Sequence, residues 1–218
     1  GRKMPAAQNE PNDIPVYLFT GFLEAGKTKF IQETMEDKRF NSGEPTLLLL
    51  CEEGEEEYDV SAFPCKDVFL HTIEDQEDFN PENLQKILKS CGATRVVLEY
   101  NGMWPMNHLF QNLPDDWAVY QEMFFADAGT FFQYNANMRS LVVDKLNTCE
   151  LVVFNRFEKS MDKMEFHKIV RGVSRRTDIA YEYTDGKVEY DEIEDPLPFD
   201  VNAPVIRLAD TDYALWYR

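Results

Sequence analysis

The octapeptide Gly21-Phe22-Leu23-Glu24-Ala25-Gly26-Lys27-Thr28 constrains this chain more than any other stretch. It meets the pattern G-x-x-x-x-G-K-[ST]. An apolar run rich in β-formers, Pro15–Thr20, precedes it, and a segment free of Gly and Pro, Lys27–Asp37, follows. Strand, glycine loop and helix in that order form the phosphate-binding loop. The reason is mechanical. Gly21 and Gly26 let the backbone turn so that successive N–H groups point at phosphate oxygens. The helix N-terminus adds partial positive charge. Lys27 is expected to reach the β- and γ-phosphates, and the Thr28 hydroxyl to ligate Mg²⁺. Glu24 sets a carboxylate inside an anion-binding loop, where it would repel phosphate. It either points outward and pairs with Lys29, faces a second protomer, or is neutral at the surface.

Around the loop, apolar strands alternate with amphipathic segments. Strands are expected at Thr46–Cys51, Val68–His71, Arg95–Glu99, Trp117–Ala126 and Glu150–Phe154. Helices are expected at Pro81–Ser90, Trp104–Leu113, Phe131–Leu146 and Asp162–Val170. That alternation predicts an α/β fold, a mostly parallel sheet with helices on both faces. Residues 1–13 are polar and read as a flexible lead-in, with Gly1 a tag remnant; residues 14–177 read as the nucleotide domain. From 178 the pattern changes. Ala180–Tyr183 and Lys187–Tyr190 flank Thr184-Asp185-Gly186, a hairpin signal. Asp191–Asp200 reads as a linker and Val205–Leu208 as a further strand. The aromatic end (Tyr213, Trp216, Tyr217) has no stop signal. Residues 178–218 are therefore expected to lead into a C-terminal domain cut short here.

A net charge of −18, from 22 Lys and Arg against 40 Asp and Glu, argues against nucleic acid or an anionic membrane as partner. A cation or a basic partner is the natural complement. Cys51, Cys65, Cys91 and Cys149 are scattered without a C-x-x-C pair, which fits reduced thiols in the cytoplasm. Neither a membrane span nor a signal peptide is visible.

Three further segments carry chemistry. Glu99 closes an apolar strand, where a phosphate-loop enzyme keeps an acid for its metal. Asn101-Gly102 follows as a turn. The acidic stretch Glu52–Asp59 offers Glu52 and Asp59 as metal-positioning carboxylates, or is a solvated surface. Asn155-Arg156-Phe157-Glu158 follows the late strand. Guanine presents two parallel N–H donors that one carboxylate can accept, and an Asn-Lys-x-Asp loop does this in many GTPases. Here Arg replaces Lys and Glu replaces Asp. The three histidines, His71, His108 and His167, are isolated and read as structural or exposed.

Together these residues resemble the CobW-like metallochaperone GTPases over roughly residues 14–175. That family opens with V-x-x-x-T-G-F-L-G-A-G-K-T-T, against which this chain has Val16-Tyr17-Leu18-Phe19-Thr20 and the loop through Lys29. Its N-E-F-G…D segment looks like Cys51-Glu52-Glu53-Gly54…Asp59, and its E-x-x-G…P like Glu99-Tyr100-Asn101-Gly102…Pro105. A family aspartate is matched by Asp127, and its N-K-x-D by Asn155–Glu158. The resemblance implies Mg²⁺-dependent GTP hydrolysis coupled to delivery of a transition metal or to maturation of a client metalloprotein. It also implies nucleotide-dependent homodimerisation. Gly21, Glu24, Ala25, Gly26, Lys27, Thr28 and Lys29 would hold GTP or GDP with Asn155, Arg156 and Glu158. Thr28, Glu52, Asp59 and Glu99 would surround the metal, and Lys27 and Glu99 would carry catalysis. The family's C-x-C-C has no counterpart: between Asp59 and Glu99 stand only Cys65 and Cys91, with His71 between them. An ATP-using kinase or ATPase, and a non-catalytic nucleotide-binding module, remain as alternative readings.

Overall fold

The computed structural model describes residues 13–52 and 57–195. The lead-in up to residue 12, Glu53 and Gly54 of the acidic stretch, the linker beyond 195, the expected strand Val205–Leu208 and the aromatic end lie outside the described residues.

Eight strands hydrogen-bond in the order β3-β2-β4-β1-β5-β6-β7-β8. They are β1 (Ile14–Gly21), β2 (Thr46–Leu50), β3 (Val68–Thr72), β4 (Arg95–Glu99), β5 (Trp117–Asp127), β6 (Leu151–Phe157), β7 (Asp178–Tyr183) and β8 (Val188–Tyr190). The helices are α1 (Lys27–Glu36), α2 (Pro81–Cys91), α3 (Met106–Asn112), α4 (Phe131–Asn137), α5 (Arg139–Thr148) and α6 (Lys163–Val173). The pairs β1–β4, β2–β4, β2–β3 and β6–β7 are parallel, and β7–β8 is antiparallel. The α/β, mostly parallel architecture expected from the alternating pattern is the one found. None of the described helices is long and apolar enough to cross a membrane.

The chain divides within β5 into two compact units, Gly1–Met123 and Phe124–Arg218. In the first, β1 is apolar on both sides because both sides are covered. Val16 and Leu18 join Leu84, Ile87 and Leu88 of α2 and Met106 and Leu109 of α3 in one core cluster. Phe19, on the opposite face, packs on Phe30 of α1 at 5.8 Å between ring centres. Helix α2 starts where Asn80 caps it through Asn83 N–H and Pro81 opens its first turn; it stops at Gly92, at φ 66°. Arg95 is buried with its guanidinium 4.0 Å from the Phe40 ring, and its Nε donates to Thr46 Oγ1. Trp104 and Trp117 are core.

The second unit is organised by aromatic rings. Phe154 of β6 packs against Phe131 of α4 and Phe166 of α6, each at 4.8 Å, and Phe157 against Tyr181 at 4.7 Å. Two expectations change here. The single helix expected over Phe131–Leu146 is two helices, because Met138 leaves helical geometry at φ −132° and ψ 44°. Poor helix formers, Asn135 and Asn137, precede that break. The strand expected to end at Phe154 runs on to Phe157 past an irregularity at Asn155-Arg156. Phe157 is fully buried, and its packing draws the chain back onto the sheet beside Tyr183. The hairpin β7–β8 continues the same sheet alongside β6.

Candidate functional site: a phosphate-binding loop and its carboxylates

In a parallel sheet the C-terminal ends of neighbouring strands open toward the same side, and ligands bind there. Strand β4 lies between β1 and β2, with Glu99 in register with both Phe19 and Leu50. Strand order alone therefore brings the loop after β1, the residues after β2 and the last residue of β4 to one place. Two backbone bonds lock the convergence: Cys51 N–H donates to Glu99 O and Tyr100 N–H to Phe19 O, each at 2.9 Å.

The loop has the backbone its sequence requires. Gly21 sits at φ 144° and Gly26 at φ 93°, and Gly26 caps α1 with no side-chain hydrogen bond. No residue in the first turn of α1 is itself acidic, although the Glu99 carboxylate reaches Thr28 there. Glu24 takes φ 62°, a left-handed conformation where a side chain is disfavoured. The family pattern has glycine at this position, and the φ value supplies the physical reason. The Glu24 side chain and that of Lys29 are both exposed, whereas Ala25 is buried.

The expected site residues fall into two groups. Lys27, Thr28, Glu52 and Glu99 meet. Lys27 is only 4% exposed. Its Nζ donates to Gly21 O at 2.6 Å and forms an ion pair with Glu52 Oε2. Thr28 Oγ1 donates to Glu99 Oε2 at 2.9 Å. Tyr58, which no sequence signal singled out, donates its hydroxyl to Glu99 Oε1 at 3.2 Å. Burial pushes the Glu99 carboxyl above the ordinary range. Lys27 and the Thr28 hydroxyl pull it back, the Glu52 carboxylate adds to the rise, and Tyr58 again lowers it. Burial likewise pushes the Cys51 thiol far up, so it is no nucleophile.

Asp59 does not join this group. Its carboxylate accepts from Ser61 N–H at 3.1 Å, and its backbone is bracketed by the Gln32 amide. It caps a short 3-10 turn, Val60–Ala62, instead of facing the loop. Gly102 is set by contact rather than by flexibility. A Cβ there would lie 2.2 Å from Gly21 O and 3.2 Å from Phe22 Cα. The backbone after β4 thus braces the start of the phosphate loop, and only glycine permits it.

In the second unit, Asn155 and Arg156 lie in the irregular stretch of β6. Arg156 is at φ 54°, and its guanidinium pairs with Asp127, the Nε at 2.8 Å from Oδ2. Asn155 Oδ1 accepts from the Arg156 N–H, and Asn155 O accepts from Ala128 N–H. Glu158 is exposed. His167 is fully buried, with Asp191 at Nδ1 and Asp195 at Nε2, and so is structural; His108 Nε2 donates to Gln76 O at 2.9 Å. Cys65, Cys91 and His71 do not converge. No three His, Cys, Asp or Glu side chains among the described residues form a metal-holding group.

The donor set suits the ligands implied by the loop. A near-buried ammonium, a helix N-terminus without a side-chain cap and two positive-φ glycines suit a polyanion. A hydroxyl and a carboxylate on adjacent oxygens suit a hard cation such as Mg²⁺, which takes few protein ligands.

No family model matches this chain. No curated protein matches it by sequence. Its shape does find solved structures. A Zn(II)-bound triple mutant of the GTPase YjiA superposes with a TM-score of 0.58 at 18% identity, over 82% of this chain and 60% of that one. Zn(II)-bound YjiA from E. coli gives 0.55 at 17%, over 91% and 60%. The hydrogenase maturation factor HypB from Archaeoglobus fulgidus gives 0.56 at 12%, over 80% and 83%. The chain thus spans about three-fifths of the length of the YjiA structures. Identities this low speak to architecture alone, and the architecture is the one the motif resemblance led us to expect: this chain shares the α/β fold of the YjiA GTPase and of the maturation factor HypB.

Proposed function

We propose that this chain is a Mg²⁺-dependent guanine-nucleotide switch that hydrolyses GTP slowly and acts in metal or metallocofactor handling. One observation carries the nucleotide reading: the buried Lys27 of a glycine loop lies beside a Thr28–Glu99 pair at the C-terminal ends of β1 and β4. Lys27 and the loop amides neutralise the β- and γ-phosphates and the charge that spreads over the transferring group. Thr28 and Glu99 are the oxygen donors for Mg²⁺, which would supply further neutralisation of the phosphates when bound. Glu99, desolvated and held at both oxygens by hydroxyls, has its orientation set before any ligand arrives. Glu158 accepts from guanine, with Asn155 and Arg156 shaping that end.

The metal-handling role rests on likeness of shape to Zn(II)-bound YjiA and to a hydrogenase maturation factor. The absence of a thiolate cluster among the described residues favours action on a client metalloprotein over storage of the metal in a preformed thiolate site. A nucleotide-dependent homodimer belongs to the same proposal. The Arg156–Asp127 pair favours a second reading, relaxed base choice that admits ATP, since it engages the cation standing in the lysine's place.

The test is calorimetric titration of GTP, GDP and ATP with Mg²⁺, with phosphate release measured alongside. GTP and GDP should bind more tightly than ATP, and Lys27→Ala should abolish all triphosphate binding. Unchanged binding in Lys27→Ala would sink the assignment. An ATP preference would install the second reading. Tight binding without turnover, with and without candidate clients, would leave a non-catalytic module.

A further inference from the structure

Lys27 is the one loop residue that a polyanion must recruit, yet its ammonium is already engaged. It is 4% exposed, and the Glu52 side chain that pairs with it is 9% exposed. Two charges this removed from water hold each other far more firmly than a surface pair does. Strand geometry delivers the carboxylate: Glu52 comes two residues after β2, whose last residue is in register with Glu99. At the far side of the acidic stretch, Tyr58 donates to Glu99. Glu52 is thus on the lysine of the glycine loop and Tyr58 on the candidate metal carboxylate.

A triphosphate cannot share Lys27 with Glu52 at contact distance. Both are anions, and the site is too dry to screen them. We propose that Glu52 is an internal substitute for phosphate: it occupies the Lys27 ammonium in the nucleotide-free chain and must leave before a triphosphate can bind. This rests on the reading of the loop as a nucleotide site and adds its regulation. The consequence is a coupling. Occupancy of Lys27 by phosphate and occupancy by Glu52 exclude one another, so a partner that holds the Glu52 carboxylate favours nucleotide entry.

Removing the carboxylate gives opposite signs for the two roles Glu52 can have. If Glu52 competes with phosphate, the apparent affinity of the native chain is lowered by the fraction of molecules in which Lys27 is taken. Glu52→Gln and Glu52→Ala should then bind tripolyphosphate, and GTP with Mg²⁺, about tenfold or more tightly than wild type. If Glu52 instead helps hold the metal, both variants bind GTP more weakly, and only when Mg²⁺ is present. The experiment is calorimetric titration of the full chain and both variants with tripolyphosphate and with GTP, each with and without Mg²⁺. Melting curves are to verify the fold. Hydrogen exchange of wild-type residues 51–59 adds a measurement that needs no variant, and tripolyphosphate should accelerate it. Wild-type binding without tighter binding in either variant, or unchanged exchange, overturns the competition while the nucleotide reading stands. If no form takes up either ligand, the nucleotide reading falls first and the competition with it.

Discussion

Lys27, which follows the positive-φ Gly26, and Arg156, itself at φ 54°, are both cations that pair with a carboxylate. They differ in burial. Lys27 is 4% exposed, and the Arg156 side chain is 50% exposed. A desolvated pair is costly to break by removing one partner, about 3–5 kcal/mol, so an incoming anion can take Lys27 only in exchange for Glu52. A surface pair is worth roughly 0–1 kcal/mol, so Arg156 can leave Asp127 at little cost. The glycine-loop end of this chain is thus held by backbone geometry and dehydration. The candidate base-reading end depends on side-chain identity at the surface. The glycine loop meets G-x-x-x-x-G-K-[ST] in full, whereas Asn155-Arg156-Phe157-Glu158 differs from Asn-Lys-x-Asp at its cation and at its acid.

The largest effect that could break this contrast is steric. Gly102→Ala puts a methyl group 2.2 Å from Gly21 O. Overpacking against backbone should cost on the order of 3 kcal/mol. That lowers the melting temperature by roughly 6–12 °C and weakens binding of every triphosphate alike. An unperturbed melt would show that the loop is not braced there. Next comes Glu158→Ala, expected to cost GTP about tenfold in affinity while leaving tripolyphosphate unchanged. Equal losses for both ligands would mean the two ends are not separable.

Smaller is Glu24→Gly. Relief of left-handed strain, about 1 kcal/mol, is partly offset by the unfolded-state freedom of glycine. Melting should rise by about 1–2 °C, and nucleotide affinity a few-fold as a carboxylate leaves the loop. Arg156→Gly, its counterpart, should leave tripolyphosphate binding as it was.

The smallest effect lies at the far edge of the second unit. The Lys163 ammonium, then the Tyr183 hydroxyl, hold the Glu189 carboxyl down at about 2. A lowered carboxylate contributes stability that is present above its unfolded value and is lost as pH falls through about 2. Glu189→Gln should therefore lower melting by about 1–2 °C at pH 7 and not at all near pH 2. Thermal scans across that range measure it.

The strand–loop–helix around the glycines was legible because it is local. Gly21, Gly26, Lys27 and Thr28 are contiguous, and the apolar run before them and the helix after them declare their own periods. Glu99 was legible as an acid ending a buried strand. Tyr58 was not, since its partner lies 41 residues away and no spacing links them. Asp59 was expected at the metal and is occupied with Ser61, a short-range capping bond that competed successfully for the carboxylate. The end of β6 was misjudged for the opposite reason. Asn155 reads locally as a stop, and the burial of Phe157 overrides it.

Sequence by itself determined that a glycine loop between strand and helix presents Lys27 and Thr28, because backbone turns and helix termini are properties of neighbouring residues. Only the tertiary structure decided what those residues touch. The parallel order β2-β4-β1 carries Glu52 and Glu99 to the loop from 25 and 71 residues away. Burial then turns those approaches into an ion pair and a hydrogen bond that water would otherwise have kept apart.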